Sequence, residues 1–185
     1  NNKVYLVSGS DFEKIVWQVG KQITDSVDGV YGCLGNTLHI KNDLVKVNNF
    51  IELEDTHLLE DIKKYIDSSK TPLRTGNHIE KRIGMLNVST VGRNATFEDR
   101  KTYSKFDHQS KERKIFADFL REKYPKLDIS IGGEISIDIS IKGRGKEQIY
   151  DDISRQGNVI FFGDRCNVGG NDHGLASLKI GRAHV

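Results

Sequence analysis

The chain has 185 residues, with 28 basic and 26 acidic side chains and a formal net charge of +2. That near-balance excludes a basic nucleic-acid-binding tail and leaves any anion site to the local placement of charge. The two cysteines, Cys33 and Cys166, form no disulfide framework and no metal-ligand pattern, and no apolar run is long enough to cross a bilayer. A soluble, cytoplasmic protein with no membrane or nucleic-acid partner is therefore expected, with room for one substantial domain or two interleaved ones.

The opening "NNKVYLVSGSD" lacks a methionine and passes almost directly into a strand at Lys3–Val7, so further sequence upstream is expected. Ser10–Ile23 predicts a helix with Phe12, Ile15, Val16, Val19 and Ile23 on one face, started by a capping box between Ser10 and Glu13. Short strands and turns follow over Asp28–Asp43, with Gly35-Asn36 as a hairpin signal. Thr56–Ser68 predicts a helix burying Leu58, Leu59, Ile62, Tyr65 and Ile66, and loop chemistry continues to Asn77.

Ile79–Val91 is strand-like, Thr96 and Asp99 can cap a short helix, and Lys111–Lys123 predicts a helix burying Ile115, Phe116, Phe119 and Leu120. The clearest pattern is "ISIGGEISIDISI", Ile129–Ile141, where every odd position except Gly133 is isoleucine and the even positions hold Ser130, Gly132, Glu134, Ser136, Asp138 and Ser140. Such alternation predicts an antiparallel sheet packed on one face and open to water or ligand on the other. Lys146–Arg155 predicts a helix that leads to Val159–Phe162, an apolar run expected to be a strand buried on both faces. The last six residues, "IGRAHV", have no apolar period and resemble a translated sequencing adaptor, so a non-native tail over 180–185 is expected.

These elements imply two interleaved units. Residues 1–42 and 145–179 are expected to form a parallel-sheet core, and 43–144 an inserted α+β unit with its own antiparallel sheet.

Several side chains could carry chemistry. Asp164 ends the apolar strand and precedes a glycine-rich loop holding Asp172, a position suited to a hard cation or simply to a turn cap. Arg82, Arg93 and Arg100 stand close in sequence and could grip one phosphate with their guanidinium forks, or remain solvated. Ser136 and Asp138 lie on the polar face of the isoleucine strand, where they meet either sugar hydroxyls or water. Lys146 could screen a phosphoryl group or be a surface lysine. Ser10 could bond a phosphoryl oxygen, with Ser8 as a weaker substitute, although capping already accounts for it. The six histidines show no metal spacing.

Taken together, "GSDFEK" (Gly9–Lys14), "GMLNVSTVGR" (Gly84–Arg93), "GGEISID" (Gly132–Asp138) and "FFGDRCNVGGNDH" (Phe161–His173) resemble the eukaryotic-type phosphomannomutases of the haloacid dehalogenase superfamily. The likeness runs from about Val4 to Gly174 in four ordered motifs. It implies an α/β fold, a Rossmann-like haloacid dehalogenase core with an inserted α+β cap domain that carries a homodimer interface. The implied reaction interconverts mannose 6-phosphate and mannose 1-phosphate for GDP-mannose synthesis, with Mg2+ and a bisphosphorylated hexose activator, by in-line phosphoryl transfer through an aspartyl-phosphate. By the same resemblance, Arg82, Arg93 and Arg100 grip the phosphate distant from the nucleophile, and Ser136 and Asp138 contact the hexose phosphate. Lys146 matches the core lysine, Asp164 holds magnesium, and Asp172 lies at or behind the metal, while Ser10 keeps the catalytic phosphoryl contact read from its own position.

The sequence also departs from that pattern. No "DxDGT" motif, source of the nucleophile and the acid/base, occurs in the 185 residues. Ile83 stands where asparagine is usual, Thr90 replaces a proline, and "GRGK" replaces "GWDK". A sugar-phosphate phosphatase of the same superfamily, or a sugar-phosphate-binding remnant without turnover, are the alternative readings.

Overall fold

The computed structural model describes residues 2–48, 53, 56–71, 73–178 and 181–184. A first sheet has the order β1-β2-β3-β4, with strands Tyr5–Val7, Gly29–Gly32, Thr37–Ile40 and Asp43–Val47; β1 and β2 are parallel and the remaining pairs antiparallel. It runs past the boundary expected at residue 42. Between β2 and β3 the chain turns through Cys33–Gly35 and Asn36, which places the hairpin at the Gly35-Asn36 signal.

The helix predicted over Ser10–Ile23 is two helices, α1 (Phe12–Val19) and α2 (Lys21–Ser26), broken where Gly20 takes φ 87°. Asp11, not Ser10, is the N-cap: its carboxylate accepts the Lys14 N–H at 2.8 Å, and the Ser10/Glu13 box does not form. An aspartate one residue later offers the amides a charged acceptor, which a serine hydroxyl does not match. Ile15 is buried, whereas Val19 at the end of α1 and Ile23 on α2 are exposed.

A second sheet has the order β5-β6-β8-β7, all antiparallel, built from Ile79–Arg82, Met85–Val88, Ser136–Ile141 and Leu127–Gly132. Helices α3 (Thr56–Ser68) and α5 (Glu112–Lys123) cover one of its faces, with Leu58, Ile62, Phe116, Leu120, Ile129, Ile137 and Ile139 as the shared core. Helix α4, Phe97–Ser110, is longer than its cap signal suggested, and Thr96 with Asp99 does form a capping box. One expectation for this unit fails and another is narrowed. Ile115 and Phe119 are exposed, because Arg113 and Ala117 take the buried positions of α5 with Phe116 and Leu120. Ser136, Asp138 and Ser140 are buried, because the polar face of the isoleucine strand is covered by the loops of the first unit rather than by water.

The remaining chain returns to the first unit. Lys146–Ile149 is a 3-10 turn followed by α6, Tyr150–Ser154, in place of one helix. Strand β9, Ile160–Gly163, is not buried on both faces: Phe161 is buried, but Ile160 and Phe162 are 66% and 64% exposed. Its described ladder partner is β10, Gly181–His184, which lies parallel to it within the segment expected to be a tail. A cavity of about 540 Å³ lies between β1 and β9, lined by Val4, Tyr5 and Val7 on one side and Val159–Phe162 on the other. Helix α7, His173–Ala176, closes the second core cluster, where Leu175 and Ala176 meet Tyr31, Ile149 and Phe161. This is a Rossmann-like core carrying an α+β cap with an antiparallel sheet.

Candidate functional site

The two units meet along the loop after β1. Arg82, at the end of β5, donates from Nη1 to the Gly9 carbonyl at 2.5 Å. From the other side the loop after β9 reaches the cap: Ile131 pairs with Gly170, Arg165 donates to the Gly133 carbonyl at 3.0 Å, and Asn171 donates to Asp138 at 3.2 Å. Enclosed between them is a cavity of about 210 Å³, lined by Ser8, Gly9, Ser10, Lys14, Arg82, Asn87, Arg93, Arg100, Ser136, Asp138 and Asn171 among others.

The cap holds its arginines by local geometry. Arg93 follows Gly92, whose φ of +94° and close approach to the Gly76 carbonyl leave no room for a side chain. Its own N–H donates to the carbonyls of Gly76 and Asn77 at 3.1 and 3.0 Å. Arg74 fastens the same segment from behind, donating to the carbonyls of Ile66, Ser69 and Thr90 at 2.8, 3.1 and 3.2 Å. Arg100 sits in the first turn of α4, set by the Thr96 capping box, and donates to the carbonyls of Ala95 and Arg93 at 3.1 and 3.3 Å.

Glu80 organises two of these cations. It accepts from Arg82 Nε and Nη2 at 3.2 and 3.0 Å, and from Arg93 Nε at 3.0 Å. Burial alone would raise its carboxyl pKa, but the hydrogen bond and charge of Arg82, with Arg93 and Lys14 beyond, hold it below the ordinary carboxylate value. Burial, and then the Arg82 guanidinium, pull the Arg93 pKa down. Arg93 Nη1 donates to Ser136 Oγ at 2.8 Å, so the arginine and serine inferred separately from sequence form one unit. Arg113, buried on α5, fixes the turn before Ser136 by donating to the Gly132, Gly133 and Ser136 carbonyls while pairing with Asp107 at 2.8 Å.

Asp138 is buried and accepts from Asn87 on the neighbouring strand at 2.6 Å and from Asn171, one bond on each oxygen. The Oδ1 atom of Asn87 is buried with no hydrogen-bond partner among the described residues.

The cavity therefore gathers Ser10, Arg82, Arg93, Arg100, Ser136 and Asp138. It does not gather Lys146, Asp164 or Asp172. Lys146 is no surface lysine: it is buried and its Nζ lies 2.6 Å from Asp172 Oδ1. Asp172 also accepts the Arg165 backbone N–H on Oδ2 at 3.0 Å, so both of its carboxylate oxygens have a protein partner. Asp164 is 77% exposed in its side chain, with Arg165 Nε at 4.0 Å. Among the described residues no three His, Cys, Asp or Glu side chains form a metal cage. Asp164 nevertheless fits a hard cation of the kind that keeps one or two protein carboxylates and completes its shell with phosphate and water.

Sequence reasoning missed Lys14, Glu80, Asn87, Asn171 and Arg113. A signal existed for Glu80, which alternates with Arg82 on one strand, and for Lys14, the final residue of "GSDFEK". Asn87 and Arg113 become visible only once the elements of the cap pack, and Asn171 only once the two units meet.

Comparison with known proteins agrees with this architecture. The Plasmodium falciparum IMP-nucleotidase, in its N-terminally truncated form, superposes with a TM-score of 0.57 at 12% identity, covering 99% of this chain and 57% of that one. The sucrose-phosphatase of Synechocystis sp. PCC6803 gives 0.51 at 12% identity, covering 98% and 69%. These likenesses concern the fold. In sequence, a phosphomannomutase of Solanum lycopersicum is 38% identical over 176 residues, 92% of this chain and 70% of that protein. A profile of eukaryotic phosphomannomutase matches residues 1–180. The chain belongs to the eukaryotic phosphomannomutase family.

Proposed function

We propose that the cavity between the two units binds a hexose phosphate for the mannose 6-phosphate/mannose 1-phosphate interconversion, with the phosphate on Arg82, Arg93 and Arg100 and the sugar toward Ser136 and Asp138. The observation that carries this reading is the convergence of these side chains, distant in sequence, on one cavity. Guanidinium forks suit a phosphate, and buried amide and carboxylate groups suit hydroxyls. A mutase needs a second phosphate site while its sugar reorients, whereas a phosphatase does not, and an arginine cluster set apart from Asp164 meets that need. A bisphosphorylated hexose activator would use the same two places.

Asp164 is the residue proposed to hold Mg2+, which when bound would neutralise charge on a transferring phosphoryl group. Ser10 lines the cavity and can donate a hydroxyl to a phosphoryl oxygen. Lys146 fixes Asp172 in the loop that follows Asp164, a positioning role beside the phosphoryl contact inferred from resemblance. A homodimer through the cap and a cytoplasmic setting belong to the same reading. The dimer has support in an apolar groove of about 800 Å³ between α3, α4 and α5, lined by Tyr65, Phe106, Ile115, Phe116 and Phe119.

The test is phosphorus NMR of the chain with mannose 1-phosphate, Mg2+ and a hexose bisphosphate. The expected result is perturbed substrate resonances without product, because these 185 residues hold no "DxDGT" aspartates. Turnover that survives repurification would overturn the assignment of the nucleophile to that motif, and unperturbed resonances at millimolar ligand would overturn the site.

A further inference from the structure

Lys14 is the cation of the cavity that no hydrogen bond explains. Each arginine beside it is committed to protein acceptors: Arg82 to Glu80 and the Gly9 carbonyl, Arg93 to Glu80 and Ser136, Arg100 to two carbonyls. The Lys14 side chain is half-buried, lines the same cavity, and its Nζ has no hydrogen-bond or ion-pair partner among the described residues. Burial, followed by the charges of Arg93 and Arg82, pulls its pKa below the ordinary lysine value, and Glu80 only partly opposes them.

An ammonium held among guanidiniums without an acceptor is unfavourable unless something enters to reverse the local field. Counting Glu80 behind the arginines and the exposed Glu134 at the rim, four cations face three carboxylates, so the entering group must be an anion. The lysine is held in place by its own helix: Asp11 caps the Lys14 N–H, Ile15 is buried, and Phe12 stacks on His39 with ring centroids 3.9 Å apart. Its backbone thus belongs to the first unit, whereas the arginines belong to the cap.

We propose that Lys14 is a substrate-binding residue whose ammonium donates to the phosphate group held by the cap arginines, so that one phosphate monoester ties α1 to the cap. This deepens the hexose-phosphate reading of the cavity and rests on it. Charge-assisted hydrogen bonds of this kind are worth enough to shift affinity about 10-fold or more.

Isothermal titration of mannose 1-phosphate, with inorganic phosphate as a second probe, into wild type, Lys14→Gln and Lys14→Arg tests this. The expected result is a roughly 10-fold or greater loss in Lys14→Gln and substantial recovery in Lys14→Arg. Thermal unfolding supplies a readout that a structural lysine would not give: without anion Lys14→Gln melts at or above wild type, and saturating phosphate raises the wild-type Tm more than the variant's. Equal affinities in wild type and Lys14→Gln overturn the assignment while leaving the cavity reading intact. A variant that melts well below wild type without anion makes the lysine structural and also overturns it. Absence of wild-type binding removes the cavity reading and the assignment together.

Discussion

Lys146 and Asp172 form a buried ion pair, with Nζ 2.6 Å from Oδ1 and both residues less than a tenth exposed. Breaking a pair of this kind leaves one charge buried and uncompensated, at a cost of about 3–5 kcal/mol. Lys146→Met is therefore expected to destabilise the chain by that order in urea unfolding, and Lys146→Met/Asp172→Leu to recover much of the loss. A single variant as stable as wild type would show that the lysine's charge has no structural role.

Arg93→Ala and Arg100→Ala are expected to weaken hexose-phosphate binding by roughly 10- to 150-fold each, the range for one charge-assisted hydrogen bond. Arg93→Ala should have the larger effect, since Arg93 also orders Glu80 and Ser136. Titration calorimetry checks this, and unchanged affinity in both would return them to structural roles.

Glu80 gives the cap an acid-sensitive element. Its folded carboxyl pKa lies below the ordinary value of 4.5, so the stability it contributes is present above about pH 4.5 and is lost as pH falls through the folded value. Wild type should thus exceed Glu80→Gln in Tm at neutral pH, with the gap closing below pH 4.5. A gap that stays constant into the acid range would contradict the ionic account.

Asp164→Asn should fold like wild type, within about 0.5 kcal/mol, because its side chain is exposed and lacks a close partner. Its effect should appear with the metal: any Mg2+-dependent gain in Tm or in hexose-phosphate affinity is expected to diminish in the variant. An equal Mg2+ response in both chains would move the metal elsewhere.

Ile115→Asp should leave the fold intact, since Ile115 is 65% exposed, yet shift a dimer toward monomer in sedimentation velocity. Unchanged sedimentation of a dimeric chain would locate the interface away from α5.

Local chemistry settled much of this protein from the sequence alone. The Thr96/Asp99 capping box, the Gly35-Asn36 hairpin, the bounds of α3 and the antiparallel pairing within Ile129–Ile141 depend on interactions within a few residues, and each is present. Tertiary packing decided the rest. Periodicity reports that Ile129–Ile141 has an apolar and a polar face, but only the approach of the Gly9 and Asn171 loops buries the polar face. Likewise, nothing near Lys146 in the chain marks a buried partner 26 residues away, and nothing near Lys14 marks three arginines on another unit. Long-range electrostatics and desolvation depend on distances in space, which a one-dimensional pattern does not contain.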